Sequence, residues 1–575
     1  MRKLNRVLLT GLLLALALTL ALPTTAQGPK GGIILEASFG GDPATFNPLL
    51  CTETGCARLV GLMMPGTIGV DPEIAAPARV GDNPRVRGAL VKDWQISEDG
   101  TVYTLTFRDD YFWTDGTPVT AFDYKFAWDA IVSGQTDTNL GYVQDVIASV
   151  EAPDATTAVV TLHEPDCNAL LYIGYIQVIP SHLFSDDFTQ FNDNPWNFEP
   201  TVTAGPFTFG QMRSGELVSL LANPNYVDAE LGYVNSEGFI YKNVPDATVM
   251  VEQFLAGEVN LLDSPAVNRR SDIRAAAETG AVQVYAYPGN AWDYMTYNLA
   301  NPANPQPGLD ENGNEIVQEP HPIFGDVRVR QALAYAVDLE AIIDGAVFGE
   351  GTAMASTVIP ASWAFDETLE PYPYDPAKAT EMLAEAGWVD TDGDGVLEAQ
   401  GALYAEDGTE FRFTLYTNEG NTRRAAVGTI IQDELSQIGV AVDFQTIDWN
   451  TMLDIMYAQT YDAIILGWRQ GYPDDPDFTQ IFSIQSDVPG SGDNTGSYHN
   501  QRVVDLMREA RRVPGCGLED RAAIYAEYQR IVKEDQPYMF LYAIDGMYAA
   551  SSKVEGWNPY PSNMFWNVDA WSVMP

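Results

Sequence analysis

The stretch "FRFTLYT", Phe411–Thr417, alternates Phe411, Phe413 and Leu415 with polar or aromatic partners, the period-two pattern of a half-buried strand. In "NTRRAAVGTIIQDELSQIG", residues 421–439, Val427, Ile430, Ile431, Leu435 and Ile438 recur at helical spacing until Gly439 stops the run. "VAVDFQTI" (440–447) returns to a strand pattern. "NTMLDIMYAQ" (450–459) reads as a short helix and "YDAIILGW" (461–468) as a buried strand. Strand, helix, strand, helix, strand is an α/β layer, and ligands collect outside the carboxyl ends of its strands. One such end carries "GWRQGYPDDPDF", Gly467–Phe478, where Trp468 and Tyr472 stand among Arg469, Asp474, Asp475 and Asp477.

Other elements are punctuated clearly. "DPAKATEMLAEAGW" offers Asp375 as N-cap, Pro376 at the first helical position and Gly387 just past the end. "EDRAAIYAEYQRIVKEDQP" sets Ile524, Tyr528, Ile531 and Val532 on one face before Pro537 ends it. From Leu90 to Phe112 the chain alternates as a hairpin turning at Asp99 and Gly100. Residues 301–322, rich in Pro, Asn and Gly, read as an inserted loop.

The chain opens "MRKLNRVLLTGLLLALALTLALPTTAQG". Arg2, Lys3 and Arg6 precede sixteen largely apolar residues, Val7 to Leu22, and Thr24 and Ala26 complete a cleavage pattern. The run is shorter than the roughly 18 to 20 residues that a span requires, so residues 1–26 are expected to be a signal peptide cleaved after Ala26. No cysteine adjoins that point to carry a lipid, so the product is expected in the periplasm or outside the cell. Cleavage leaves 549 of 575 residues and removes three positive charges, taking the formal charge from -48 to about -51. Such a surface disfavours nucleic acid and favours a neutral or cationic ligand. The length suggests two to four domains, and 46% hydrophobic with 11% aromatic residues supports full folding.

The four cysteines allow three pairings in an oxidising compartment. Cys51 and Cys56 in "CTETGC" are close enough for a local loop, which by default leaves Cys167 with Cys516. Their spacings fit no common zinc pattern.

No sequence signature of a hydrolase, a phosphate loop or a dinucleotide fold is present, and His163, His182, His321 and His499 are scattered. "DTDGDGVLE" places acids at alternate positions like a calcium loop, but Gly401 occupies the place of the bidentate glutamate. An Asp/Gly turn is the plainer reading. If a structural calcium binds, Asp390, Asp392, Asp394 and Glu398 hold it. Aromatics cluster with polar neighbours at Trp292 and Tyr294 in "GNAWDYMTYN", at Trp468 and Tyr472, and at Tyr542 in "FLYAID". Such rings suit sugars and peptide side chains, although core packing is the commoner fate of any one of them.

The run "GALVKDWQISEDGTVYTLTFRDDYFWTDGTPVTAFDYKFAWDAI" resembles the extracellular solute-binding proteins of family 5, the oligopeptide-, dipeptide- and nickel-binding proteins of ABC importers. The resemblance continues through "GGDPATFNPLL", "TAGPFTF", "FGDVRVRQALAYAVDLEAII", "DPAKATEMLAEAGW" and "RAAIYAEYQRIVKEDQPYMFLY", in the family's order and over almost the whole mature chain. It implies an α/β clamshell of two lobes with an extra α+β domain inserted in the first. The corresponding ranges are 27–64, 183–292 and 543–575 for the first lobe, 65–182 for the insert and 293–542 for the second lobe. It further implies a non-enzymatic, monomeric substrate-binding subunit that needs no cofactor, closes on its ligand and delivers it to a membrane permease.

In peptide-binding members a Trp begins the loop matched by Gly467–Phe478, and an Asp directly before a Tyr pairs with the peptide's α-amine. Trp468 and Tyr472 match, but Gly471 stands in place of the Asp. Asp474 or Asp475 could substitute. A buried ammonium without a partner costs several kcal/mol, so a short oligosaccharide is kept beside peptide as the expected ligand. Nickel fits poorly without a His cluster. A secreted glycan hydrolase is the competing class, disfavoured by the missing motifs. The expected ligand residues are Phe46 and Asn47 from the first lobe, Trp292 and Tyr294 near the hinge, Trp468, Arg469, Tyr472 and Asp474 from the second lobe, and Tyr542 at the return crossing.

Overall fold

A computed structural model describes residues 31–38, 41–471 and 476–575, the side chain of Glu230 excepted. The expected signal peptide (1–26), Tyr472 and Asp474 lie outside the described residues.

The α/β layer forms where its periodicity places it. Strands Arg412–Asn418, Ala441–Ile447 and Ala463–Arg469 run parallel. The connecting helices are Thr422–Ser436, capped by the Asn421 side chain on Arg424 N, and Trp449–Tyr457, capped by Asp448 on Thr451 N. Parallel pairing follows from the crossover helices. At the other end of the molecule Gly31–Ser38 pairs in parallel with Ser236–Asn243 and Leu261–Asp263, the core of a second α/β layer.

Two long strands join these layers. Val282–Tyr297 and Tyr538–Ser551 pair antiparallel and carry one eleven-stranded sheet from lobe to lobe. Their ladder is interrupted between Tyr287 and Ala291, where Pro288, Gly289 and Asn290 bulge out of register. The two strands lie so close there that a Cβ on Gly289 would fall 2.0 Å from the Ile544 carbonyl oxygen, and one on Gly546 would fall 2.2 Å from the Tyr287 ring. Only glycine fits at either position.

Burial divides along the same line. A core containing Ile34, Phe207, Phe239 and Trp571 is continuous with that of a separate four-stranded sheet, whose strands Val91–Ile96, Val102–Phe107, Ile147–Asp154 and Thr157–Leu162 include the hairpin turning at Gly100. A smaller core around Val251, Phe254 and Met547 lies under the Ala247–Leu255 and Arg270–Glu278 helices. The other lobe has one core around Phe413, Leu415, Val427 and Leu435, and a second around Trp292, Tyr294, Leu506 and Tyr528. Residues 301–322 form a loop held by short bridges at Ala300/Pro320 and Leu309/Glu315.

Both disulfides form. Cys51 and Cys56 close the local loop, and Cys167 joins Cys516 with Cα atoms 5.4 Å apart. Among the described residues no helix is long and apolar enough to cross a membrane.

Candidate ligand cleft

The carboxyl ends of the parallel strands in the two lobes face one another across a cleft of about 620 Å³. Ser264–Val267, just beyond strand Leu261–Asp263, forms one wall with Arg270. The opposite wall is Asn421, Thr422 and Arg423, beyond strand Arg412–Asn418, together with Gly345, Ala346, Phe348 and Arg469. The bulge Gly289–Ala291 and the returning Ile544–Gly546 make the floor. This is the position that the strand order dictates for a ligand in an α/β protein.

Strand Ala463–Arg469 reaches farther than its neighbour. It pairs with Arg412–Asn418 only at Ala463 and Ile464, with the Thr417 hydroxyl donating to the Ile465 carbonyl at 3.1 Å beyond them. From Gly467 onward its outer edge carries no strand partner among the described residues, while its inner edge is fully paired with Val282–Tyr297. Gly467 is forced by what lies beneath, since a Cβ there would meet Asp293 Oδ1 at 2.2 Å and the Trp292 carbonyl oxygen at 2.7 Å. Just past the strand, Gln470 N donates to the Asn290 carbonyl at 2.9 Å, which ties the strand end to the bulge. The Gln470 side chain is 7% exposed, and both its polar atoms lack a partner among the described residues.

The expected site residues separate. Arg469 is exposed, lines the cleft and makes no ion pair among the described residues. Trp468, half-buried on the other face of its strand, stacks on Tyr294 with centroids 6.5 Å apart and planes at 12°. Trp292, Tyr294 and Tyr542 are core residues at 0, 3 and 0% exposure, so they offer no ring face to the cleft. Phe46 and Asn47 are equally buried. Phe46 packs against Phe209, while the Asn47 amide donates to Asn197 Oδ1 and its carbonyl oxygen accepts from Leu49 N. These five side chains are core residues, and none of them lines the cleft.

Besides Arg469, the cleft's charge comes from residues not among those expected from the sequence. Arg423 lines it and pairs with Asp293, while its Nη1 also reaches the Tyr542 hydroxyl at 2.9 Å. Arg270 donates to Glu350 at 3.2 Å and to the Asp545 carbonyl at 2.8 Å. The Asp545 carboxyl is pushed above its usual range by burial and then by nearby Glu350, against the pull of Arg270 and Arg274. Among the described residues it has no ion-pair partner within 4.0 Å. One wall thus presents an uncommitted guanidinium at Arg469, and the floor presents a carboxyl at Asp545.

Asp390, Asp392, Asp394 and Glu398 do come together, with one oxygen from each within 4.8 Å of the others. Their carboxylates accept hydrogen bonds from the loop itself. Asp390 takes Gly393 N and Gly395 N, Asp394 takes Val396 N, and buried Glu398 takes both N and Oγ1 of Thr391. The acids therefore shape the turn.

Two lobes on two crossing strands, with a cleft between strand ends, are the architecture of a solute-binding protein. The chain belongs to the bacterial extracellular solute-binding proteins, family 5, whose middle-region model matches residues 85–489. It is 26% identical over 554 residues to the oligopeptide-binding protein AppA of Bacillus subtilis, covering 94% of this chain and 92% of that one. The structure of AppA in complex with a nonapeptide superposes with a TM-score of 0.73 at 25% identity, over 95% of this chain and 100% of that chain. The dipeptide-binding protein of Pseudomonas aeruginosa is 25% identical over 506 residues, 84% of this chain and 86% of that one. NikZ of Campylobacter jejuni in complex with Ni(L-His), at 24% identity and a TM-score of 0.72 over 95% of this chain and 100% of that one, shares the fold. The protein is thus a non-catalytic substrate-binding protein of an ABC importer, in a family that needs no cofactor and works outside the cytoplasm.

Proposed function

We propose that the cleft binds a peptide in extended form and that lobe closure presents the loaded protein, as a monomer, to a membrane permease. The observation that carries this reading is the outer edge from Gly467 to Arg469, which has no strand partner among the described residues. An extended peptide can add to such an edge through main-chain hydrogen bonds, which are indifferent to side-chain sequence. Arg469 and Asp545 then offer opposite charges to a zwitterionic chain, a pattern that a neutral saccharide leaves unused. The names of AppA and of the Pseudomonas dipeptide-binding protein support the same class of ligand. The aromatic rings that favoured an oligosaccharide are largely core side chains.

A thermal-shift screen of mixed peptides against cello-, manno- and xylo-oligosaccharides tests this reading, because a ligand bound only by the native state raises the melting temperature. Stabilisation by peptides alone is the expected result. Stabilisation by an oligosaccharide alone would overturn it.

A further inference from the structure

Cys167 and Cys516 belong to different lobes. Cys167 follows the four-stranded sheet and precedes helix Ala169–Tyr175, whose Ala169 and Ile173 pack in the core shared with Ile34 and Trp571. Cys516 lies in the short turn between helices Gln501–Arg511 and Leu518–Asp535, whose Leu506 and Tyr528 pack in the core of the second lobe. The bond spans 349 positions and links the lobes at a place remote in sequence from both crossing strands.

The surrounding contacts cross the same boundary. Cys167 N donates to the Arg511 carbonyl at 2.8 Å. The Arg511 guanidinium reaches back to Asp166 while also holding Asp477 at 3.1 Å in its own lobe. Arg512 pairs with Glu164, and Arg521 donates to Asn168 Oδ1 at 2.9 Å in a buried contact. Such ion pairs and hydrogen bonds break and re-form readily as lobes move. The disulfide does not, since a bridged pair of Cα atoms cannot separate beyond about 7 Å and these already stand 5.4 Å apart.

We propose that the Cys167–Cys516 disulfide is a permanent interlobe clasp: it tethers the lobe that carries the four-stranded sheet to the second lobe and limits how far the two can part. Full clamshell opening is then unavailable to the oxidised protein, and the ligand-free state is held near the closed geometry. Pre-organisation of this kind lowers the ordering cost of binding and slows exchange.

The test compares ligand-free protein with the double variant C167S/C516S by small-angle X-ray scattering and by hydrogen exchange of the segment Ala463–Gln470. The expected result is a larger radius of gyration and faster exchange in the variant, with the wild type compact. Should the variant fold poorly, wild type in a C51S/C56S background, scattered before and after reduction by a dithiol, makes the same comparison with only the clasp at stake. Superimposable scattering with equal exchange would overturn the proposal. So would non-reducing peptide mapping that finds Cys167 and Cys516 not joined to each other.

Discussion

Asp293 and Tyr542 stand opposite one another on the two crossing strands, and the tyrosine hydroxyl donates to the buried carboxylate at 2.9 Å. The same carboxylate holds Arg423 and, at 3.4 Å, Arg424, so a single 2%-exposed acid neutralises part of two guanidinium charges under the cleft wall. D293N would leave both arginines without their counter-charge. The expected loss is about 3 to 5 kcal/mol of unfolding free energy, read by denaturant titration. Y542F removes one hydrogen bond and should cost about 1 kcal/mol.

Gly471 is exposed, and a Cβ there would meet nothing within 4 Å among the described residues. G471D should therefore fold normally while restoring a carboxylate where peptide-binding relatives carry their amine anchor. Calorimetry should show tighter binding of peptides with a free N-terminus by about tenfold, which is about 1.4 kcal/mol. N-acetylated peptides should be unaffected. Equal gain for both would mean that the new carboxylate does not meet the ammonium.

Arg469 and Asp545 divide the ligand's charges in the proposed complex. R469A should weaken peptides with a free C-terminus relative to their amides, and D545N should weaken free amines relative to acetylated peptides, each by more than about 1 kcal/mol in titration calorimetry. Loss of that selectivity pattern would assign these side chains to structure instead.

Glu36 is fully buried beside Arg58, which it shares with Asp263, and its Oε2 finds no partner among the described residues. Burial, opposed by Arg58, pushes its carboxyl up to about 7, against 4.5 when unperturbed. Between those values the folded state keeps a proton that the unfolded chain has released. Its stabilising contribution is thus complete below about 4.5 and is lost as pH rises through about 7, on the order of 3 kcal/mol in all. E36Q should flatten this part of the pH dependence. Unfolding titrations at about pH 5 and about pH 8 check it, the variant correcting for general charge repulsion.

The fold was legible wherever periodicity was strong. Phe413 and Leu415 alternate, Val427, Ile431 and Leu435 keep helical spacing, and these residues became a strand and a helix of the second lobe. The site was only half legible, because exposure is decided by packing between lobes. Trp292 and Tyr542 read as ligand rings from their polar neighbours, yet those neighbours, Asp293 above all, are themselves buried by Arg423. The rule that pointed to Arg469 at one strand end applies equally at the next, where Asn421 caps a helix directly after a strand. Extending it there would have found Arg423. Arg270 and Asp545 carried no local signal, since the hinge alone brings them together.

The ladder between the crossing strands is already broken from Pro288 to Asn290. A bend at that point breaks no rung between the two crossing strands, so resistance to flexing comes from what flanks it: the Gln470–Asn290 main-chain bond and side chains such as Arg270 and Glu350 that hold the lobes together there. Retention of the ligand is therefore adjustable from a distance: exchanging one of those side chains shifts the balance of conformers, and with it the apparent affinity, while every group that meets the ligand stays the same.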